Sequence, residues 1–564
     1  MGLKARAPSA HLLAATLALL WLGWLCVSSP QVGIPRDESI YFYAADRFAE
    51  WWSRLGELGW GAFSSAEVRR GFTFNHEHPM LMKSLFGLSH QLLHVRWELI
   101  SDPILAYRLP TMVMASLLVY FTVLLGAIWR GLWVGGIAGL LLMGMPRLFF
   151  HAHLACFDLP VTLMWFAITL AYLGALRQRR WIVGVGVMLG LGLATKLNTF
   201  FVPFTLLGLS LCHLVHLSRA RADALTWVKR YTWIALSMII LGLGVFWVHW
   251  PWLYHDTINR MSAYIGFHAR HVHYPVDYLG HLYHGPPFPV HFPLVFTALT
   301  LPVATLCLFS VGSVSVASAA WGRWRSRIAG FPIELFMLVN VSVPVLIIAW
   351  PTTPIFGGTK HWMPAMPYLA LLGGVGFVKL CAAHRSLSTH RARFILAAIL
   401  LTPGLWLTQE YGAHGPAWYN SIAGGAPGAA KLRMPRNFWG YSSVELLDWL
   451  NESPLTRRDV FWHNATGIAV HHYRRAEWLD RRVRSTGDWT YPYAAWSMYH
   501  HQREKLPEEV DLWWAHGTML PVDGFFIEGV QQVGVYASPD MRRHLINRRE
   551  AFKPSALHET TSRP

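Results

Sequence analysis

Long apolar runs recur along the first 410 residues of the chain and then stop. Eleven membrane helices are predicted, at about 11–29, 106–128, 131–150, 159–176, 181–196, 200–217, 232–250, 292–312, 332–350, 364–382 and 394–410. Several fall short of the roughly 20 residues that a perpendicular span needs, so their ends can shift. The first run follows a basic stretch but no A-x-A cleavage pattern follows it, which reads as an uncleaved anchor. A different pattern fills the long break 30–105. In "SIYFYAADRFAEWWSRL" (39–55) and "MLMKSLFGLSHQLL" (80–93) the apolar positions fall on one side, as in helices lying in a membrane interface. A second long break spans 251–291. Past residue 410 the pattern becomes that of a small α/β unit. "SVELLDWLNE" (443–452) reads as a helix capped by Ser442 or Ser443 with Glu445 in a capping box, and "TGIAVHHYRRA" (466–476) as a second helix. "DVFWHN" (459–464) and "VQQVGVYAS" (530–538) read as strands, and the last fifteen residues as frayed. The expected fold is an α-helical polytopic membrane domain (1–410) followed by a C-terminal extracytoplasmic α/β domain (411–564).

Composition agrees with that pattern: 53% of the 564 residues are hydrophobic and 14% charged, where a soluble chain carries about 25% charge. The net charge of +17 would suit nucleic acid, but its placement argues otherwise. Lys4 and Arg6, Arg130, "RQRR" (177–180), "SRARADALTWVKR" (218–230), "GRWRSR" (322–327) and "HRSLSTHRAR" (384–393) occupy alternate breaks, with Asp223 the single acid among them. This is the positive-inside bias, and it puts the N-terminus inside and the other breaks outside. No internal repeat of the kind transporters carry is evident. The five cysteines form neither a disulfide framework nor a zinc pattern. By this topology 24 of the 29 histidines lie outside, which is where chemistry is expected.

Six outer stretches hold candidate chemistry, each with a plainer structural alternative. Asp37 and Glu38 stand where the chain leaves the first span, as a helix cap or as reactive carboxylates. Glu77, between His76 and His78 in "NHEHPMLMK" (75–83), is a metal ligand or a loop residue. Asp158 opens a span, as an N-cap or as the holder of a cation or hydroxyl. Lys196, at an outer span end, is a snorkelling residue or a phosphate contact. "GFHARHVHYPVDYLGHLYHG" (266–285) gathers His268, Arg270, His271 and His273 for metal or phosphate. Lys360 and His361 precede a proline-punctuated span as anchors or as cations for phosphate. Acids, histidines and cations on one side of one membrane suit a reaction with a membrane-anchored phosphate, in which cations hold the leaving group and a carboxylate takes the proton of the attacking hydroxyl.

The ordered set "RDESIYFYAADRF", "HEHPMLMK", "GLATKLN" and "KHWMPAMPYLALL", with "WYNSIAGGAPGAA" (418–430) and "FWGYSSVELLDWLN" (438–451), resembles the GT-C superfamily of membrane glycosyltransferases, in particular protein O-mannosyltransferases and lipid A aminoarabinose transferases. The likeness covers roughly residues 10–450. His78 and Met80 replace a lysine and a proline of the family's E-K-P-P-L stretch, and Lys360 stands where arginine is commoner. The resemblance implies an inverting enzyme that moves a hexosyl or pentosyl group from a polyprenyl-phosphate donor to a hydroxyl of a protein, lipid or glycan. It implies a site on the outer face of a bacterial inner membrane, and no nucleic acid partner. Asp37 would be the catalytic base, Glu38 would shape the site, and Asp158 would be a further catalytic acid, next in line as the base; Lys196, Lys360, His361 and Arg270 would hold the donor phosphate. A divalent cation (zinc, magnesium or manganese) would sit at Glu77 and His268, or else Arg270 and protonated histidines would neutralise the phosphate without an ion. The rival readings are a transporter or flippase for a polyprenyl-linked glycan and a non-catalytic assembly subunit.

Overall fold

The computed structural model describes residues 3–453, 460–463, 467–486, 494–500 and 506–537. Within them, eight helices are long and apolar enough to cross a membrane. The pair Leu132–Met143 and Pro146–His153 is a ninth candidate, bent by 72° where Pro146 opens the second helix. Trp181–Leu193 and Ile333–Ala349 are apolar but shorter. All eleven expected spans therefore have a helix, and the protein is a polytopic helical membrane protein.

Two spans differ from expectation in extent. The expected span 292–312 divides into Phe292–Thr300 and Val303–Arg325, because Leu301 is extended and Pro302 cannot continue the first helix. The long apolar helix is the second. The expected span 232–250 begins earlier, at Leu225, and runs through a π-helical turn at Met238–Gly242. Packing between spans depends on close backbone approach. A methyl group on Gly312 would overlap the Leu372 carbonyl and crowd Gly376, so helix Val303–Arg325 lies directly on helix Met363–Ala383.

Both amphipathic runs are helical, as Arg36–Leu58 and as Leu81–Ser89 continued by a π-turn, His90–Arg96. The apolar stripe of the first is taken up by protein: Tyr41, Phe42, Ala45 and Phe48 are buried. The second long break forms helix Thr257–Ala269 and a hairpin, Val276–Tyr278 with His281–Tyr283, turned at Leu279–Gly280 and tied to residue 433 by the Arg433–Asp277 ion pair at 2.9 Å.

The C-terminal unit has a five-stranded mixed sheet in the order Arg484–Thr486, Val460–His463, Ala494–His500, Val530–Ala537, Asp523–Ile527. The first three strands are parallel and the last two antiparallel to their neighbours. Helix Gly467–Arg475 lies between the first two strands in sequence and packs on helix Arg36–Leu58. The expected capping box at 442–445 does not form. Tyr441–Leu446 is a 3₁₀ turn after Gly440; the Ser442 hydroxyl is drawn to Asn437 and His500, and Glu445 pairs with His414 at 3.1 Å. The last fifteen residues lie outside the described residues.

Candidate active site

The outer breaks converge on one buried cluster. Helix Arg36–Leu58 has no side-chain cap, and its first turn carries Asp37 and Glu38. Two adjacent helical residues point about 100° apart, so the pair divides between two environments.

Glu38 faces inward and is fully buried against Arg108 of helix Pro103–Arg130. The guanidinium grips it with two hydrogen bonds, Nε to Oε1 at 2.9 Å and Nη2 to Oε2 at 2.7 Å. The same arginine donates to the carbonyls of Ser29, Val32 and Gly33, and the Ala155 amide donates to Glu38 Oε1 at 2.7 Å. Glu38 thus pins together the end of the first span, the loop before Asp37 and the loop before Asp158. Both of its oxygens accept hydrogen bonds from charged or backbone donors.

Asp37 faces a cavity of about 230 Å³ whose wall also includes Arg36, Arg147, His151, His271, Tyr274, Phe296, Phe356, Phe438 and Trp439. It is the one acid among the described lining residues. Among the described residues its carboxylate has no hydrogen bond and no ion pair. Burial pushes its carboxyl above the usual carboxylate range; Lys360 pulls it down and Asp158 pushes it up again.

Asp158 opens helix Asp158–Arg177 and accepts a 2.6 Å ion-paired hydrogen bond from Lys196, with the His151 ring 3.9 Å away. It is not the N-cap, a position Phe157 takes; its carboxylate pairs with a cation, Lys196. Lys360 is buried in a cage of rings, its Nζ 3.9 Å from the centroid of Trp439, 4.7 Å from Phe438 and 5.0 Å from Phe356. Among the described residues it reaches no carboxylate within ion-pair distance, yet it interacts with both Asp158 and Asp37. Burial holds its ammonium at about 8, the two carboxylates opposing that fall. Trp439, which forms one wall of the cage, sits at φ +68, a strained conformation for a bulky residue. Its carbonyl accepts from the Arg36 amide at 2.9 Å, which couples the cage to the residue before Asp37.

The remaining candidates fall outside this core. His361 gives its Nε2 to the Phe356 carbonyl at 2.6 Å and is held neutral, its pKa pushed down to about 3 by burial and the neighbouring lysines. It braces the Lys360 turn and supplies no charge. Arg270 caps the end of helix Thr257–Ala269, is exposed, and folds back against Gly266 of its own helix. Glu77 accepts from Asn75 at 2.7 Å, and His268 meets only its main-chain carbonyl, at 3.2 Å. No grouping of three His, Cys, Asp or Glu ligands occurs among the described residues. Glu77 and His268 therefore do not compose a metal site from their own side chains. Burial also lowers His78 and, to about 4, His268, so protonated imidazoles do not replace the lysine missing at position 78. Lys83 does lie close by, but it is spent on the carbonyls of Asn75 and His78 at 2.5 and 2.8 Å.

Sequence reasoning missed Arg108, Arg147 and the aromatic cage. The first two carried a signal: each is an arginine inside an apolar run, at "LAYRLP" and "MPRLFF", where charge without a buried purpose is costly.

No family model matches the sequence, and no curated protein matches it. Solved structures that the chain is similar to include ArnT from Cupriavidus metallidurans in the apo state, 14% identical over 94% of this chain and 99% of that one, with a TM-score of 0.46. ArnT from Cupriavidus metallidurans bound to undecaprenyl phosphate matches at 13% identity over 93% and 97%, TM-score 0.46. The apo oligosaccharyltransferase from Archaeoglobus fulgidus matches at 12% identity over 91% of this chain and 72% of that one, TM-score 0.46.

Proposed function

We propose that this protein is a membrane glycosyltransferase of the GT-C type, moving a sugar from a polyprenyl-phosphate donor to an acceptor hydroxyl at the outer face of the membrane. The observation that carries the reading is Asp37: an unpartnered carboxylate on a cavity wall, with its charge balanced through space by a buried lysine. Asp37 takes the proton of the acceptor hydroxyl. The acceptor oxygen bonds to the anomeric carbon, the bond from that carbon to the phosphate oxygen breaks, and the electron pair leaves on the polyprenyl phosphate. Lys360 and Lys196 offset the charge that grows on that phosphate. One displacement inverts the anomeric centre. No step runs through a metal ion, since Glu77 and His268 offer too few ligands.

The test is turnover by membranes holding the wild-type chain, given a panel of radiolabelled polyprenyl-phosphate sugars. Release of polyprenyl phosphate with the label moved to an acceptor, and its loss in Asp37→Asn, is the expected result. Donor carried intact across sealed vesicles, with no label transferred, would overturn the reading in favour of a flippase.

A further inference from the structure

Arg147 is nearly as buried as the Glu38–Arg108 pair, yet no acid balances it. It is 5% exposed and lines the cavity that Asp37 lines. Among the described residues no carboxylate lies within ion-pair distance of it, and its Nε has no hydrogen-bond partner. Its polar contacts are with neutral groups: Nη2 reaches the Trp418 carbonyl at 3.3 Å and the Tyr419 hydroxyl also bonds the guanidinium, which lies 4.6 Å from the centroid of Phe296 and 5.1 Å from that of Tyr419. Ring faces hold a guanidinium in place and leave its in-plane N–H groups free to point at a ligand. Arg36, exposed and on the same wall, adds positive charge. A buried cation with no acid to balance it and an unpartnered Nε is costly, and an arginine fork suits the planar or tetrahedral oxygens of a carboxylate or phosphate.

We propose that Arg147 binds an anionic group, a phosphate monoester or a carboxylate, borne by the acceptor beside the hydroxyl that Asp37 faces. The inference rests on the proposed function in naming that molecule the acceptor. The anion site itself does not. The proposed function gives the donor phosphate to Lys360 and Lys196, neither of which lines the cavity. Arg147, which does line it, serves a second anion. Asp37 repels anions, so the acceptor enters with its neutral hydroxyl toward Asp37 and its charge toward Arg147.

The experiment is equilibrium titration of the full-length protein in detergent micelles with inorganic phosphate and, separately, with acetate. The background is Lys360→Met, which weakens the donor-phosphate site. Binding of either anion should persist in Lys360→Met and weaken about tenfold or more when Arg147→Met is added. Arg147→Lys should recover part of the loss, since it restores charge without the fork. Tyr274→Glu, at an exposed position on the cavity wall, should weaken binding without altering the buried site, which covers the case in which Arg147→Met does not fold. Loss of all anion binding in Lys360→Met, or equal binding with and without Arg147→Met, would overturn the inference. So would binding unmoved by Tyr274→Glu. None of these outcomes depends on sugar transfer, so anion binding with no turnover of the donor panel would leave the subsite standing and overturn only the proposed reaction.

Discussion

Asp37 and Glu38 are neighbours in sequence and opposites in chemistry. Glu38 is held: two bonds from one arginine and one from a backbone amide engage both of its oxygens. Asp37 has a cavity in front of it and no partner among the described residues. Both are carboxylates near cations, Glu38 fully buried and Asp37 half-buried, so burial and charge alone do not mark a reactive group. The difference is whether the lone pairs are already spoken for. One acid holds the loop still so that the other can be left unsatisfied on it.

Substitutions can break this comparison. Asp37→Asn should cut transfer by about 10²–10⁴-fold, the range for losing a general base, with the unfolding temperature unchanged. Glu38→Ala should act through stability, costing about 3–5 kcal/mol because it strands the buried Arg108 charge; denaturant unfolding in micelles reads it. If Asp37→Asn unfolded the protein and Glu38→Ala only slowed it, the two assignments would be exchanged. A smaller effect is expected from Lys360→Met: a rise in donor KM of roughly ten- to hundredfold, the scale of one charged hydrogen bond, with acceptor KM nearly still.

The pH profile sharpens the same contrast. Asp37 must be ionised to act, and burial raises its pKa, so activity should rise with pH through a midpoint above the usual carboxylate range. Lys360 must be charged to hold phosphate, and its depressed pKa makes activity fall as pH rises through about 8. Glu38→Gln should move neither limb. His268 and His361 should add no inflection near the ordinary imidazole value of about 6.5, because burial lowers them to about 4 and about 3. The smallest change belongs to Glu77→Ala and His268→Ala. Neither side chain bonds or pairs with Asp37, Asp158, Lys196 or Lys360 among the described residues, so rates within about threefold of wild type and indifference to chelator are expected; a larger loss repaired by zinc would restore the metal reading.

The spans were legible because each is a long apolar run set off by basic breaks, a signal local in sequence. Asp37, Asp158, Lys196 and Lys360 were legible for a related reason: polar residues at span ends stand out against apolar surroundings. Arg108 and Arg147 stood out no less, but their meaning depended on partners 70 and more positions away. Arg270 and His361 misled because a cation next to a candidate site in sequence need not face it. Arg270 turns back on its own helix, and His361 turns to a carbonyl. The split at Leu301–Pro302 was visible as a proline in a run of apolar residues, and hydropathy outweighed it.

The helix Gly467–Arg475 braces the segment that bears Asp37. Its His472 ring bonds the Ser39 carbonyl at 3.0 Å, the Tyr473 hydroxyl accepts from the Ile34 amide at 2.6 Å, and Arg475 pairs with Asp46 at 2.6 Å. Gly33 lies so close to Tyr441 that a methyl group there would overlap its carbonyl. The three braces of that helix stand more than 400 positions along the chain from the segment they hold. A chain cut before Gly467 would keep Asp37, Glu38 and Arg108 but lose all three braces on the segment that carries the carboxylate, so nearness in sequence is no measure of what that segment rests on.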